Sequence, residues 1–267
     1  MPEGHTIHRA ALDQRRWLLN HPLRVCSPQG RFAQGAALLD ERCCVSIEAF
    51  GKHLLYGFDS ALWLHIHLGL FGRFRPHPSP ASIPTGAVRV RLEGPVKTFD
   101  IHGPNTCELL DCDEVYKLRA RIGPDVLRAD ADPDLAFRRI TKSRSTIGQL
   151  LMNQSVIAGI GNIYRTELLW RCRIHPQTPG RALDRAAFDS LWCDAQMLLA
   201  EGVRRNAIIT VDQMMAKPGR GRYRERVNIF GKERCPHCEN AIHKFSLDKR
   251  TVYACESCQP QVDRGNT

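Results

Sequence analysis

The sequence predicts a multi-domain α+β protein. Residues 20 to about 120 carry short alternating apolar runs cut by turn residues, which is the pattern of strands. From Asp132 to about residue 203 the apolar spacing is helical instead. Near the C-terminus, Cys235, Cys238, Cys255 and Cys258 form two C-x-x-C knuckles, the mark of a small metal-stapled module.

At 267 residues the chain is long for one core and suits two domains plus a module, placed at 1–123, 124–226 and 227–261. Its 43% hydrophobic and 25% charged content is ordinary for a globular protein. The charge balance is not: 38 Lys+Arg against 28 Asp+Glu gives +10, which favours a polyanionic partner. An anionic membrane is the rival partner. The apolar runs are short, however, and residues 61–68 are broken by His65 and His67, far from the roughly 20 residues of a spanning helix. With Glu3 near the start and no apolar signal core, a cytoplasmic protein is expected.

The first element is a helix over residues 8–19, ended by His21-Pro22. Strands follow, with turn signals at 28–30, Gly51, 59–60, Gly69 and Gly72. In residues 62–68, Leu62, Leu64, Ile66 and Leu68 share one face, and Trp63, His65 and His67 the other. Residues 76–84 read as a Pro/Ser-rich loop before an alternating strand at 87–92. Strands at this spacing predict a sandwich or a barrel, in a half that is mostly β after its opening helix. The character changes at Gly123-Pro124-Asp125. Asp132-Pro133 is an N-cap with Pro at the first helical position, and helices are expected at 135–140, 147–152, 163–172 and 185–200. Between 202 and 234, Arg204, Arg205, Lys217, Arg220, Arg222, Arg224, Arg226, Lys232 and Arg234 face only Asp212, Glu225 and Glu233, with Gly219 and Gly221 among them. That reads as a flexible basic connector.

The two knuckles lie 16 residues apart, a spacing that closes one tetrahedral thiolate site for a structural Zn2+. The metal would replace a core that about 30 residues cannot supply. Residues 242–253 read as a hairpin turning at 247–250. A redox dithiol pair is the other reading of such knuckles, but no βαβ unit accompanies them, and His237 and His243 are weaker ligand candidates. Cys26, Cys43, Cys44, Cys107, Cys112, Cys172 and Cys193 are expected to be free thiols that fill cores.

Two further stretches carry chemistry. Trimming Met1 from Met1-Pro2-Glu3-Gly4-His5 would expose a secondary amine titrating near ~7.7–8.0, able to add to a sugar aldehyde carbon and give an iminium. Glu3 could protonate the ring oxygen or shuttle protons. Read alone, the same residues are also an ordinary chain start. In residues 156–162, Gly159 and Gly161 allow close backbone approach, and Asn162 is a good N-cap for the next helix, which together suit a phosphate. A plain turn is the alternative.

Pro2-Glu3-Gly4, the segment from Gly159 to Tyr164 and the terminal cysteine hairpin together resemble the formamidopyrimidine-DNA glycosylase/endonuclease VIII family, in this order along essentially the whole chain. The start Pro-Glu-Gly-His-Thr resembles its actinobacterial endonuclease VIII-type members. The resemblance implies an N-terminal two-layer β-sandwich, a helix–two-turn–helix domain and a β-hairpin zinc finger. It implies a bifunctional glycosylase and lyase acting as a monomer on damaged double-stranded DNA. Pro2 would attack the deoxyribose C1′, and Glu3 would protonate the ring oxygen. Lys52 would contact phosphate and assist base release. Gly161 and Asn162 would hold a phosphate, which Arg250 at the hairpin tip would clamp. Leu70 and Phe71 match the loop that fills the hole left by an extruded base, and His102 is expected to contact DNA.

Four departures stand out. Gly69 replaces a glutamine common in the wedge, Thr6 replaces a glutamate, and Gly148 stands where many formamidopyrimidine glycosylases have lysine. Residues 100–105 lack their Arg-Phe-Gly insertion. The last two imply oxidised pyrimidines over 8-oxoguanine. The rival from another class is a non-catalytic damaged-DNA-binding protein on the same scaffold, which a retained Met1 would favour. A metallohydrolase built on His65 and His67 lacks a third ligand in the sequence.

Overall fold

In the computed structural model, the described residues are 2–217, 219 and 221–261, so Met1 and Arg220, both invoked above, lie outside them. The chain forms two compact units, residues 1–121 and 122–267.

In the first unit, α1 spans Gly4–Leu18, beginning four residues earlier than the periodicity suggests. It buries Ile7, Ala11 and Leu18, and its buried Gln14 accepts a 2.7 Å hydrogen bond from the Tyr56 hydroxyl. Next come β1 (Arg24–Cys26), α2 (Ala33–Leu39), β2 (Cys44–Phe50), β3 (His53–Phe58), β4 (Trp63–His67), β5 (Arg73–Pro78), β6 (Val88–Glu93), β7 (Lys97–His102), β8 (Thr106–Leu110) and α3 (Cys112–Arg121). The strands form two four-stranded antiparallel sheets, in the orders β1-β6-β7-β5 and β2-β3-β4-β8. Ile47, Leu54, Tyr56, Leu64 and Ile66 of one sheet and Val90, Leu92, Phe99 and Ile101 of the other share one core. This is the two-layer sandwich.

The faces of β4 divide as its alternation requires: Leu64 and Ile66 are in the core, while Trp63 lies under the Arg119 guanidinium of α3. Three features depart from the sequence reading. Helices α2 and α3 sit in the half read as mostly β, each short and with only two buried residues. Strand β5 runs through Pro76, which the sheet tolerates because β5 is an edge strand. Among the scattered cysteines only Cys44 is buried, and Cys26, Cys112 and Cys193 are exposed, so core filling does not describe all seven.

The second unit contains α4 (Pro133–Thr141), α5 (Ile147–Leu150), α6 (Asn162–Arg171), α7 (Arg185–Arg205), α8 (Asp212–Met215), α9 (Tyr223–Arg226), β9 (His243–Leu247) and β10 (Arg250–Ala254). Asp132 caps α4 by accepting from Leu135 N, with Pro133 at the first position. Thr146 and Gln149 form a capping box on α5. Ile140, Ile147, Leu168, Phe188 and Leu199 belong to the unit's core.

Residues 202–234 are not a simple flexible connector. Helix α7 runs on to Arg205, and Ile209, Thr210, Val227 and Ile229 are buried. The organiser is Glu167, fully buried on α6. Its carboxylate accepts from Thr210 Oγ1 (2.5 Å) and from the backbone N–H groups of Asn228 (2.6 Å), Ile229 (2.9 Å) and Phe230 (2.8 Å). No helix of the described residues is long and apolar enough to cross a membrane.

Candidate functional site

In the first unit, Glu3 is the N-cap of α1 and is fully buried, with the half-buried Pro2 directly before it. A carboxyl group removed from water at a helix start is costly, and such groups concentrate where chemistry needs them. The helix carrying this pair is anchored by its core face, so their position is well defined. His5, two residues on, is buried and is pushed down to about 3, first by burial and then by the charge of the chain's amino terminus, so its ring stays neutral. Thr6 sits half-buried beside it, with Oγ1 3.3 Å from His5 Nε2.

Lys52 occupies the two-residue turn between β2 and β3, where Phe50 pairs with His53 and Gly51 takes φ +57°. Its charge acts on both His53 and His67. Leu70 and Phe71 follow β4 in an exposed turn, with Phe71 89% exposed and Leu70 43%. A phenylalanine offered to solvent this way is available to insert into a base stack. Gly69 has φ +66°, and a Cβ there would lie 2.8 Å from Asn105 Cβ, so a glutamine at 69 would be strained. His102 ends β7 at 6% exposure, its Nε2 without a hydrogen-bond partner among the described residues. Burial first, and then the Arg75 charge, hold its pKa below the usual imidazole value.

In the second unit the N-cap of α6 is Gly161, and Asn162 is the first helical residue, a shift of one from the sequence reading. The Asn162 side chain is therefore not occupied in capping. Its Nδ2 donates to Thr251 O at 3.1 Å, and its Oδ1 accepts from Nη2 of the fully buried Arg165. This joins the start of α6 to β10, where the half-buried Arg250 is the neighbouring residue. The hairpin also packs over α5: a Cβ on Gly148 would lie 2.9 Å from Leu247 Cδ2 and 2.8 Å from Pro176 O. The space a lysine would need at 148 is filled.

The four knuckle cysteines each offer a sulfur, all within 4.8 Å of one another. Sγ separations are 3.7 Å for Cys235–Cys258, 3.5 Å for Cys238–Cys255 and 3.6 Å for Cys238–Cys258. A tetrahedron with Zn–S bonds of about 2.3 Å has edges of about 3.8 Å, so the donors fit zinc. Trp170 Nε1 donates to Cys235 Sγ at 3.4 Å, and Ile229 and Ile242 wall the site. Neither His237 nor His243 belongs to this group, and no group of metal-ligating residues forms around His65 and His67 among the described residues.

Sequence reasoning missed Glu167, Arg165 and the pairing of His65 with Glu108. Glu167 and His65 depend on partners 43 residues away or more, and Arg165 joins Asn162 to Gly148 O, 17 residues back; only the strand of histidines gave any signal.

Known proteins align with nearly the whole chain. The model of the formamidopyrimidine-DNA glycosylase N-terminal domain matches residues 1–103, and that of the formamidopyrimidine-DNA glycosylase H2TH domain matches residues 122–213. Endonuclease 8 1 of Mycobacterium tuberculosis is 43% identical over 267 residues, covering 97% of this chain and 100% of that protein. The formamidopyrimidine-DNA glycosylase of Thermus thermophilus is 32% identical, covering 97% and 98%. Among solved structures, a Lactococcus lactis Fpg complex with abasic-site DNA aligns at a TM-score of 0.81 and 22% identity, over 97% of this chain and 100% of that one, a likeness of fold. The chain belongs to the formamidopyrimidine-DNA glycosylase/endonuclease VIII family, whose members are DNA glycosylases with AP lyase activity.

Proposed function

We propose that this protein removes oxidised bases, preferably pyrimidines, from double-stranded DNA and then cuts the strand by β,δ-elimination through a Schiff base on Pro2. The observation that carries the reading is the buried Glu3 carboxyl directly after Pro2, at the start of a helix fixed in the core. With Met1 removed, the neutral Pro2 nitrogen attacks C1′ as Glu3 protonates the sugar ring oxygen and the base departs. The iminium at C1′ acidifies the C2′ proton. Its loss expels the 3′ phosphate, a second elimination expels the 5′ phosphate, and water then frees the amine.

Lys52 assists base release and holds phosphate. Gly161, Asn162 and Arg250 grip the backbone of the extruded nucleotide. Leu70 and Phe71 fill the vacated stack, and His102 offers its Nε2 to the DNA. Cys235, Cys238, Cys255 and Cys258 would hold a structural Zn2+, which would keep the hairpin closed and so fix Arg250 on β10. The pyrimidine preference is supported by residues 100–105, which lack an Arg-Phe-Gly insertion, and by the filled space at Gly148.

Borohydride trapping on duplexes carrying oxidised pyrimidines or 8-oxoguanine tests this reading. Wild-type protein should form a covalent adduct at the Pro2 nitrogen, faster on the pyrimidine lesions. An adduct that persists after the Pro2 amine is blocked, or a mature chain that keeps Met1 and traps nothing, would leave a DNA-binding protein without chemistry.

A further inference from the structure

Arg165 of α6 is fully buried, and none of the steps above uses it. Its Nη1 donates to Gly148 O of α5 at 3.1 Å, and its Nη2 donates to Asn162 Oδ1, one turn back on its own helix. Both of these partners sit against the terminal hairpin. Asn162 Nδ2 donates to Thr251 O of β10 at 3.1 Å. Gln149, next to Gly148, donates from Nε2 to Asp248 Oδ1 in the hairpin turn at 3.1 Å. One guanidinium thus stands behind two contacts that flank Arg250 in sequence.

Stability alone is a poor account of this arginine. Taking a guanidinium out of water is costly, and an apolar side chain of similar size often serves a fold as well or better. What an apolar residue cannot do is choose which way an amide faces. The two ends of a side-chain amide are alike in shape and differ in chemistry, since the oxygen accepts and the NH2 donates. A guanidinium only donates, so the atom of Asn162 that meets Arg165 must be the oxygen. The other end is then the NH2, which is what Thr251 O requires. Turning the amide over would set NH2 against a guanidinium N–H and oxygen against a carbonyl, losing both bonds at once. An amide nitrogen carries two hydrogens, and among the described residues Thr251 O takes one. The second is left to donate, and a donor is what a phosphate oxygen needs.

We propose that Arg165 is a positioning residue that holds Asn162 as a hydrogen-bond donor toward the phosphate beside the damaged nucleotide. With no exposed surface, it acts through Asn162 and not on DNA itself. Without the guanidinium, only Thr251 O would bias the amide. The turned-over form would then present its oxygen to a phosphate that repels it. The proposal rests on the reading of Asn162 as a phosphate contact.

A double-substitution cycle tests the proposal. Affinities of Arg165→Met, Asn162→Ala and the double variant are measured for a duplex carrying a tetrahydrofuran abasic analogue and for the same duplex undamaged, with zinc content followed alongside. Arg165→Met should bind the abasic duplex about tenfold more weakly, keep its zinc, and bind the undamaged duplex as wild type does. In the Asn162→Ala background the same substitution should cost nothing further, since the amide it orients is gone. Arg165→Met at wild-type affinity for the abasic duplex would make this arginine part of the scaffold only. An equal loss on both duplexes, or a loss that adds in full to that of Asn162→Ala, would overturn the proposal in the same way. If Arg165→Met does not fold, Arg165→Gln, whose amide falls short of both oxygens, decides by the same cycle. Asn162→Ala at full affinity, by contrast, overturns the phosphate reading of Asn162 and the proposal with it.

Discussion

At the scale of single residues, Glu167 shows how one buried charge can order a segment that looks disordered in sequence. Residues 202–234 are basic and glycine-containing, and an isolated chain of that composition gains little by burying itself. The Glu167 carboxylate changes this by collecting three consecutive backbone N–H groups, at residues 228–230, and the Thr210 hydroxyl. Asn228 Nδ2 adds a further bond at 3.1 Å. Replacing Glu167 with Ala would strand these donors in a dry site. Unsatisfied buried donors cost about 1–3 kcal/mol each, partly relieved by water entry, so a loss of about 3 kcal/mol or more is expected in urea unfolding of the second unit. Glu167→Gln should also destabilise, because its amide turns a donor toward donors. A change below about 1 kcal/mol for the alanine variant would mean that the segment is held by its apolar residues alone.

At the scale of elements, the terminal hairpin is the part most dependent on its metal. Among its own residues only Val252, Ala254 and a few neighbours are buried, too little apolar surface to hold two five-residue strands. Chelation should therefore release β9 and β10 while the helical core survives. Trp170, whose indole donates to Cys235 Sγ, reports this directly: its fluorescence should change with metal loss while far-ultraviolet helix signal is retained. On the reading of Asn162 and Arg250 as phosphate contacts, DNA affinity should fall in step, since Asn162 is tied to Thr251 O of β10, next to Arg250. Helix signal lost together with the metal would show instead that the unit folds around zinc. This hairpin was also the most legible element in the sequence. Two knuckles fix its ends, and Asp248 and Lys249 take positive φ in its two-residue turn between the paired Leu247 and Arg250. The capped start of α4 and the two faces of β4 were legible for the same reason, being written in adjacent residues. Helices α2 and α3 were not, because two buried residues in each give too weak a period. The pairing of His65 with Glu108 could not be read because it needs the register of β4 against β8, which are far apart in sequence.

At the scale of the whole molecule, the two units differ in how acid should act on them. Burial, as the leading cause, lowers the pKa of His5, His53, His65, His67 and His102 in residues 1–121, but only of His175 in residues 122–267. In the unfolded chain each of these would take up a proton near pH 6.5, whereas in the fold His5 and His53 resist until about pH 3. Between those values the unfolded state binds more protons, so stability is full above about pH 6.5 and falls as pH drops toward 3, by up to about 1.4 kcal/mol per pH unit for each such histidine. The first unit bears five of these penalties against one, so it should loosen first. Hydrogen exchange measured by mass spectrometry at pH 7 and pH 5, corrected for the intrinsic exchange rate, resolves the two. Peptides from β2, β3 and β4 should lose protection at pH 5 while those from α6 and α7 keep it, well before carboxylates begin to protonate. Equal losses in both units would mean that the sandwich admits protons or water to these rings without opening.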